Sequence, residues 1–287
     1  GHGTIRDYVI GIHAVDGRGV AFKGGGRVVK NVAGYDFCKL LTGSLGTLGV
    51  ITQVALKVKP QTESTSAVFA ECEDFAIIEE ALRRLSLLEA TPVAIDWLVG
   101  NGWKFAARAG RLVVRIEGTE IEANWLAERV RGELAAAGAS WVQNLSASES
   151  EQLWRQQIEF SDLGVANVDD GSPLVLQIAV PPSAVVAIVE RLLALDTNCN
   201  IQAHAANGIV VARFSKFTHS DLTAVLAGKL RPAVNHVGGH SVVVRSRLDG
   251  ITPHLVWGGR TDAVVLLEQI KRKFDPKNIL NPGRFIY

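Results

Sequence analysis

Three glycines spaced three apart, Gly43, Gly46 and Gly49, stand among small and hydroxylated residues in Gly43-Ser-Leu-Gly-Thr-Leu-Gly-Val-Ile51. Glycine takes φ > 0 readily and has no Cβ, so such a run lets bare amides and carbonyls approach something flat or phosphorylated. No lysine follows the last glycine, which separates the stretch from the phosphate loop of P-loop nucleotidases. A tight helix-to-strand turn is the other reading of the same spacing. Just upstream lie Lys30-Asn-Val-Ala-Gly-Tyr-Asp36 and a short amphipathic run from Tyr35 to Leu41. Tyr35 and Asp36 suit either ligand contact or packing and helix capping.

Side chains able to move protons or hold anions are more scattered. His204 begins His204-Ala-Ala-Asn-Gly208 and reads as a proton acceptor or, more commonly for a lone histidine, as a hydrogen-bonded structural residue. Arg213, Arg245 and Arg247 fall on or near strands and could anchor a carboxylate or serve in salt bridges. Trp257-Gly-Gly259 could line a pocket or anchor packing. His236 and His240 are four apart, but Gly238-Gly239 breaks the helix that a ligand pair would need, so both read as loop residues. Cys38, Cys72 and Cys199 show neither metal-ligand spacing nor a disulfide framework, which fits a reducing, cytoplasmic setting. No Gly-x-Ser-x-Gly elbow supports hydrolase chemistry.

The elements that must position these residues alternate along 287 residues, enough for two domains. The chain is 47% apolar and 21% charged with a net charge of +1, the balance of a soluble globular protein with no call for nucleic acid or anionic membrane. No apolar run reaches a transmembrane length and no signal peptide is evident. The sequence contains no methionine and begins Gly1-His2-Gly3, so a piece of a longer protein is expected. A hairpin is expected from Gly3 to Gly26 around Asp16-Gly-Arg-Gly19, with Gly24-Gly25-Gly26 as a flexible break. The alternating run to Lys59 predicts a half-buried strand, and Pro60 to Ser66 a domain boundary. Beyond it, strands at 67–72, 92–99, 111–116, 141–145, 174–180, 200–206, 209–214 and 241–244 alternate with helices. Asp74, Thr119 and Ser148 are expected caps, Ser183 and Ser220 expected helix starts, and a last helix is expected over Asp262–Phe274. The pattern predicts an α+β fold, helices against an antiparallel sheet, with two related halves a possibility in the second domain.

Gly3-Thr-Ile-Arg-Asp-Tyr-Val-Ile-Gly11, Val29-Lys-Asn-Val-Ala-Gly-Tyr-Asp36 and Gly43 to Ile51 resemble the second half of an FAD-binding domain. That domain belongs to the vanillyl-alcohol oxidase and p-cresol methylhydroxylase superfamily. Phe274-Asp-Pro-Lys-Asn-Ile-Leu-Asn-Pro-Gly-Arg-Phe285 resembles the ending of its FAD-linked oxidase members. Within that group, Lys30 to Asp36 with Arg284-Phe285 is most similar to FAD-binding accessory subunits of bacterial glycolate oxidases. The resemblance implies a partial PCMH-type domain over 1–60 and an α+β cap domain over 61–287. It implies FAD as cofactor, with Leu45, Gly46, Thr47, Leu48, Gly49, Val50 and Ile51 lying along it. Asn281, held extended by the following proline, would reach the flavin edge or brace the C-terminal turn.

Catalytic members of the family surround a metal with His-Ala-Gly-Asp-Gly-Asn-Leu-His and a downstream Glu-His pair. Here Val211 stands where the second histidine would be and no Glu-His pair occurs, so no metal is expected. His204, Arg213 and Trp257 remain catalytic candidates without an assigned role. The implied partners are a catalytic flavoprotein subunit and an iron-sulfur subunit of glycolate oxidase, with a small 2-hydroxy acid as substrate of the complex. Any inner-membrane association would be peripheral, through that complex. A self-sufficient 2-hydroxy-acid dehydrogenase with a different base, or a non-catalytic scaffolding module, are the alternatives. Family members also use an upstream half-domain with a glycine-rich pyrophosphate loop, and nothing between Gly1 and Pro60 replaces it. The isolated chain is therefore expected to bind FAD weakly or not at all; tight, stoichiometric flavin on the purified 287-residue chain would overturn this.

Overall fold

A computed structural model describes residues 2–28, 34–103, 107–160, 172–259 and 263–285. Lys30 to Ala33 of the upstream motif, and Asp262, the expected start of the last helix, lie outside the described residues. The chain forms two compact units, one from His2–Gln61 with Thr252–Tyr287 and one from Thr62–Ile251. It passes between them next to the boundary expected at residue 60. The C-terminal segment, expected with the larger domain, packs instead within the smaller unit.

The N-terminal segment opens with a short helix α1 (Ile5–Tyr8) where a strand was expected to begin. The Asp7 carboxylate folds back to accept from the Thr4 amide at 2.8 Å, and this local bond outcompetes extension. Strand β1 (Val9–Val15) then pairs antiparallel with β2 (Ala21–Gly25) across the Asp16–Gly19 turn. Asp16 holds that turn by accepting from the amides of Arg18 and Val20. The glycine triplet is not a break: Gly25 and Gly24 lie in β2 opposite Gly11 and Ile12. A Cβ on Gly24 would come within 2.7 Å of the Phe37 side chain, so close packing rather than flexibility requires glycine there. Helix α2 (Phe37–Leu41) begins at Asp36, whose Oδ1 accepts from the Lys39 amide at 2.9 Å, while Tyr35 stays 86% exposed. After the glycine run, β3 (Val50–Leu56) pairs with the other edge of β1, giving the order β2-β1-β3.

The larger unit contains an eight-stranded antiparallel sheet. Its first quartet is β4 (Ser64–Cys72), α3 (Phe75–Ser86), β5 (Ala94–Val99), β6 (Gly110–Gly118), α4 (Glu120–Ala136) and β7 (Ser140–Asn144). Helix α5 (Ala147–Glu159) follows. The second quartet is β8 (Leu174–Ala179), α6 (Val185–Leu195), β9 (Asn200–His204) and β10 (Ile209–Phe214). It continues through α7 (His219–Asp221), a π-helical stretch (Leu222–Leu230) and α8 (Arg231–His236) to β11 (His240–Ser246). Strand order is β11-β8-β10-β9-β5-β6-β4-β7. Each quartet is a βαββαβ unit with the same internal order, second-third-first-fourth, and the two meet along β5 and β9. The two related halves considered from sequence are thus present as topology.

Local signals set most element ends. Asp74 Oδ1 accepts from the Ile77 amide at 2.9 Å, and Thr119 with Glu122 forms the expected capping box. The cap of α5 is Ser146, not Ser148. Both fit the Ser-x-x-Glu pattern, but Glu149 turns back to the Ser146 amide at 2.9 Å while Glu151 pairs with Arg155. A short 3₁₀ turn (Pro182–Ala184) precedes α6 at the expected Ser183 start. His236 ends α8 and His240 opens β11, so only the residues between them are loop.

Strand alternation gives the sheet two different faces. Val68, Ala70, Trp97, Leu112, Val114, Ile201 and Ala212 are all fully buried on the helix-covered face. The opposite face carries Glu71, Asp96, Gln202, His204 and Arg213 around an apolar patch of Phe69, Leu98, Val113 and Val211. Trp103 and Phe160 pack on that patch, their rings stacked at 4.7 Å. Beyond α6, the Asp196 carboxylate gathers the Ser215 amide at 2.6 Å, the Ser215 hydroxyl at 2.8 Å and the Asn198 amide at 3.0 Å. Asp196→Ala is expected to destabilise the unit by roughly 2–3 kcal/mol, because several donors lose one charged acceptor; chemical denaturation checks this.

Candidate functional site

The expected cofactor residues divide by direction. Thr47 and Leu48 are buried, the Thr47 hydroxyl donating to the Ser44 carbonyl at 2.7 Å and Leu48 joining the core of Val9, Ile12, Ala14, Cys38 and Leu41. Gly49 is buried against β1, and Val50 and Ile51 expose their side chains on β3. Leu45 and Gly46 face outward and meet the C-terminal turn. Asn281 Nδ2 donates to the Leu45 carbonyl at 2.7 Å. Together with Pro282, Gly283 and Arg284, Leu45 and Asn281 line an open cavity of about 640 Å³.

The backbone along this edge is unusual. Leu45 and Asn281, neither a glycine, have φ of 56° and 43°, and Gly46 between them in space has φ of 70°. Left-handed backbone at a non-glycine residue costs on the order of 1–3 kcal/mol and persists only where surrounding contacts over-determine it. A Cβ on Gly46 would lie 2.8 Å from Asn281 Nδ2, so the loop can approach the turn only with glycine there.

Those contacts converge on a residue that motif reading passed over. Lys271, in α10 (Ala263–Phe274), which follows the short α9 (Pro253–Trp257), is 7% exposed. Its ammonium donates to the Asp275 carboxylate at 2.6 Å, the Thr47 carbonyl at 2.8 Å and the Leu280 carbonyl at 2.8 Å. Three donors meet three acceptors, the condition under which a buried lysine is tolerated. Asp275, 2% exposed, also accepts from the amides of Leu280 at 2.7 Å and Ile279 at 3.0 Å. One sequence signal could have exposed the pair. Val264, Leu267, Lys271 and Phe274 recur at helical spacing, which puts a lysine on an otherwise apolar stripe.

Burial pushes the Asp275 carboxyl pKa up, but the Lys271 ammonium and the two backbone amides outweigh it, and the net shift is downward. A depressed native pKa stabilises the fold above the unfolded value, about 3.9, and that contribution is lost as pH falls through the native one. Asp275→Asn should therefore lose stability at neutral pH and show a shallower acid transition below about pH 4. Lys271→Met, which strands Asp275, should cost roughly 3–5 kcal/mol at pH 7. Urea denaturation at several pH values measures both.

The larger unit holds the other candidates. His204 Nδ1 lies 2.6 Å from Asp96 Oδ1 across the β5–β9 seam, with Asp96 1% exposed and the imidazole side chain 39% exposed. Gln202 Nε2 stands 3.5 Å from His204 Nε2. Such a pair can orient an imidazole and support the charge it gains on accepting a proton. Arg213 is engaged internally: its Nη1 donates to the Phe160 carbonyl at 2.9 Å and its guanidinium covers the Phe160 ring. Arg245 lies on β11 opposite Val175. In the smaller unit, Trp257 Nε1 donates to the Arg284 carbonyl at 3.2 Å and its ring packs on Phe285. Among the described residues no group of three His, Cys, Asp or Glu side chains could hold a metal ion. Cys38, Cys72 and Cys199 are buried free thiols, and burial raises the Cys72 pKa to about 12. No helix among the described residues is long and apolar enough to cross a membrane.

The fold is that of p-cresol methylhydroxylase, whose structure aligns with a TM-score of 0.63 at 15% identity, covering 96% of this chain and 64% of that one. Residues 259–285, which include the C-terminal turn, match the family described as FAD linked oxidases, C-terminal domain. Glycolate oxidase subunit GlcE of Escherichia coli is 26% identical across 98% of the chain and 66% of its own length. The mitochondrial D-lactate dehydrogenase [cytochrome] of Arabidopsis thaliana is 27% identical across 99% of the chain and 53% of its own length. The chain thus spans about half to two thirds of the curated relatives it matches. The chain is thus similar to FAD-linked oxidases, and among them to GlcE.

Proposed function

We propose that this chain belongs to the FAD-binding subunit of a 2-hydroxy-acid oxidase complex, with glycolate the favoured substrate of the complex. The observation that carries the proposal is the edge formed by Leu45, Gly46 and Asn281, where exposed, left-handed backbone borders an open cavity. This edge fits FAD: exposed backbone at Leu45 and Gly46, an amide side chain at Asn281 and neighbouring Arg284 offer a flat ligand hydrogen bonds. Leu45, Gly46 and Asn281 would hold the cofactor, while Thr47, Leu48 and Gly49 support them from beneath. When bound, FAD supplies the redox chemistry, accepting electrons from CH–OH oxidation and passing them on.

The partners would be a catalytic flavoprotein subunit and an iron-sulfur subunit, with the chain relaying electrons. The likeness to GlcE and the absence of the family's second motif histidine at Val211 support this accessory role. Co-expression with such subunits should yield a complex with one more flavin than the catalytic subunit carries alone. Asn281→Ala should lower that extra flavin several-fold, as measured by flavin released per complex. Oxidation of glycolate at ordinary enzymatic rates by the full-length protein without partners would overturn the accessory role.

One observation favours a second reading, a self-sufficient FAD-dependent 2-hydroxy-acid dehydrogenase. The Asp96–His204 pair keeps a half-exposed imidazole on the mixed face of the sheet, where it could take the hydroxyl proton. Under this reading 2-hydroxy acids bleach the bound flavin without partners, and His204→Asn slows bleaching at least about 100-fold. Equal bleaching by the variant excludes His204 as the base.

A further inference from the structure

Lys271 is buried and is not among the residues that line the cavity, and its hydrogen bonds go to residues behind that lining. Its three acceptors belong to three separate pieces of chain: Thr47 in the glycine loop, Leu280 in the C-terminal turn and Asp275 at the end of α10. Each of the first two adjoins a left-handed residue, Gly46 before Thr47 and Asn281 after Leu280. The Asn281–Leu45 hydrogen bond then closes the ring on the exposed side.

We propose that Lys271 is a positioning residue for the FAD edge, its ammonium coupling the glycine loop to the C-terminal turn so that Leu45, Gly46 and Asn281 are presented as one surface. The proposal rests on the FAD reading above and adds the element that makes the edge cooperative. The chemistry asks for lysine in particular. An ammonium offers three donors in a tetrahedral arrangement, and here all three are used on carbonyl, carbonyl and carboxylate. A guanidinium is planar and larger and cannot aim at the same three points. Because left-handed Leu45 and Asn281 are strained, removing the common anchor of their segments should release both, not only the one nearer the lysine.

Hydrogen exchange on the 287-residue chain tests the coupling directly. The reporting amides are Thr47, bonded to the Ser44 carbonyl, and Ile279, Leu280 and Arg284 in the turn. In Lys271→Met, exchange at Thr47 and at the turn amides should rise together by about ten-fold or more, while β1 and β2 amides keep their protection. Asp275→Asn, nearly the same shape, should give the same pattern in smaller degree and serves where Lys271→Met does not fold. Flavin-fluorescence titration of the full-length protein in its complex supplies the second readout. Lys271→Met and Asn281→Ala should each weaken FAD binding about ten-fold, and the double variant little further, because both disrupt one coupled surface. Exchange that rises in only one segment, or uniformly through β1 and β2, overturns the proposal. So does unchanged FAD affinity once both segments have opened. Paired opening in a chain whose full-length parent, in its complex, takes no FAD at millimolar concentration leaves the coupling standing and removes the FAD reading instead.

Discussion

A buried ammonium must have every proton bonded, and in the smaller unit that requirement organises the surroundings of Lys271. Its partners fix the path of the glycine loop at Thr47, the C-terminal turn at Leu280 and the end of α10 at Asp275. The constraint extends to the first hairpin. Gly17 donates its amide to the Phe274 carbonyl at 2.8 Å, and a Cβ there would stand 2.8 Å from the Asp275 Cα. Phe274 itself packs among Phe22 and Phe37. One ion pair therefore governs how the last helix docks, how the glycine loop turns and why the hairpin has glycine at its bend. Apolar side chains in its place would fill the core but lose the three directed hydrogen bonds that shape the edge.

The larger unit is organised differently, by a sheet with one largely apolar face and one mixed face. Two quartets of equal strand order join through β5 and β9, and the Asp96–His204 bond crosses that join. On the mixed face the arginine expected to meet a carboxylate, Arg213, is 1% exposed and bonded to the Phe160 carbonyl. A buried guanidinium held this way braces the patch beneath Trp103 and Phe160. What the face retains for chemistry is the half-exposed imidazole.

These two arrangements bear on the functional reading together. The smaller unit has the strained backbone and open cavity expected of a cofactor edge, and the larger offers one imidazole–carboxylate pair without a metal-ligand cluster among the described residues. The first arrangement supports the proposed flavin edge, and it agrees with a likeness to an oxidase subunit.

Much of this was legible in the sequence because it is local. Alternating apolar residues gave the strands, Asp74 and Thr119 gave helix starts, and Gly43 to Ile51 gave the loop. Where two local signals competed, at Ser146 and Ser148, only the folded chain chose between them. The sequence by itself determined the α+β class, the likeness to FAD-linked oxidases and the glycines that permit close approach. Tertiary structure decided that Gly24 and Gly25 are strand residues, Gly24 under Phe37, and that the C-terminal segment packs with the N-terminal hairpin. It also decided that Lys271 bonds Thr47. The physical reason is that a buried ion pair and its carbonyl acceptors join positions more than 200 residues apart, which no local period or motif can express.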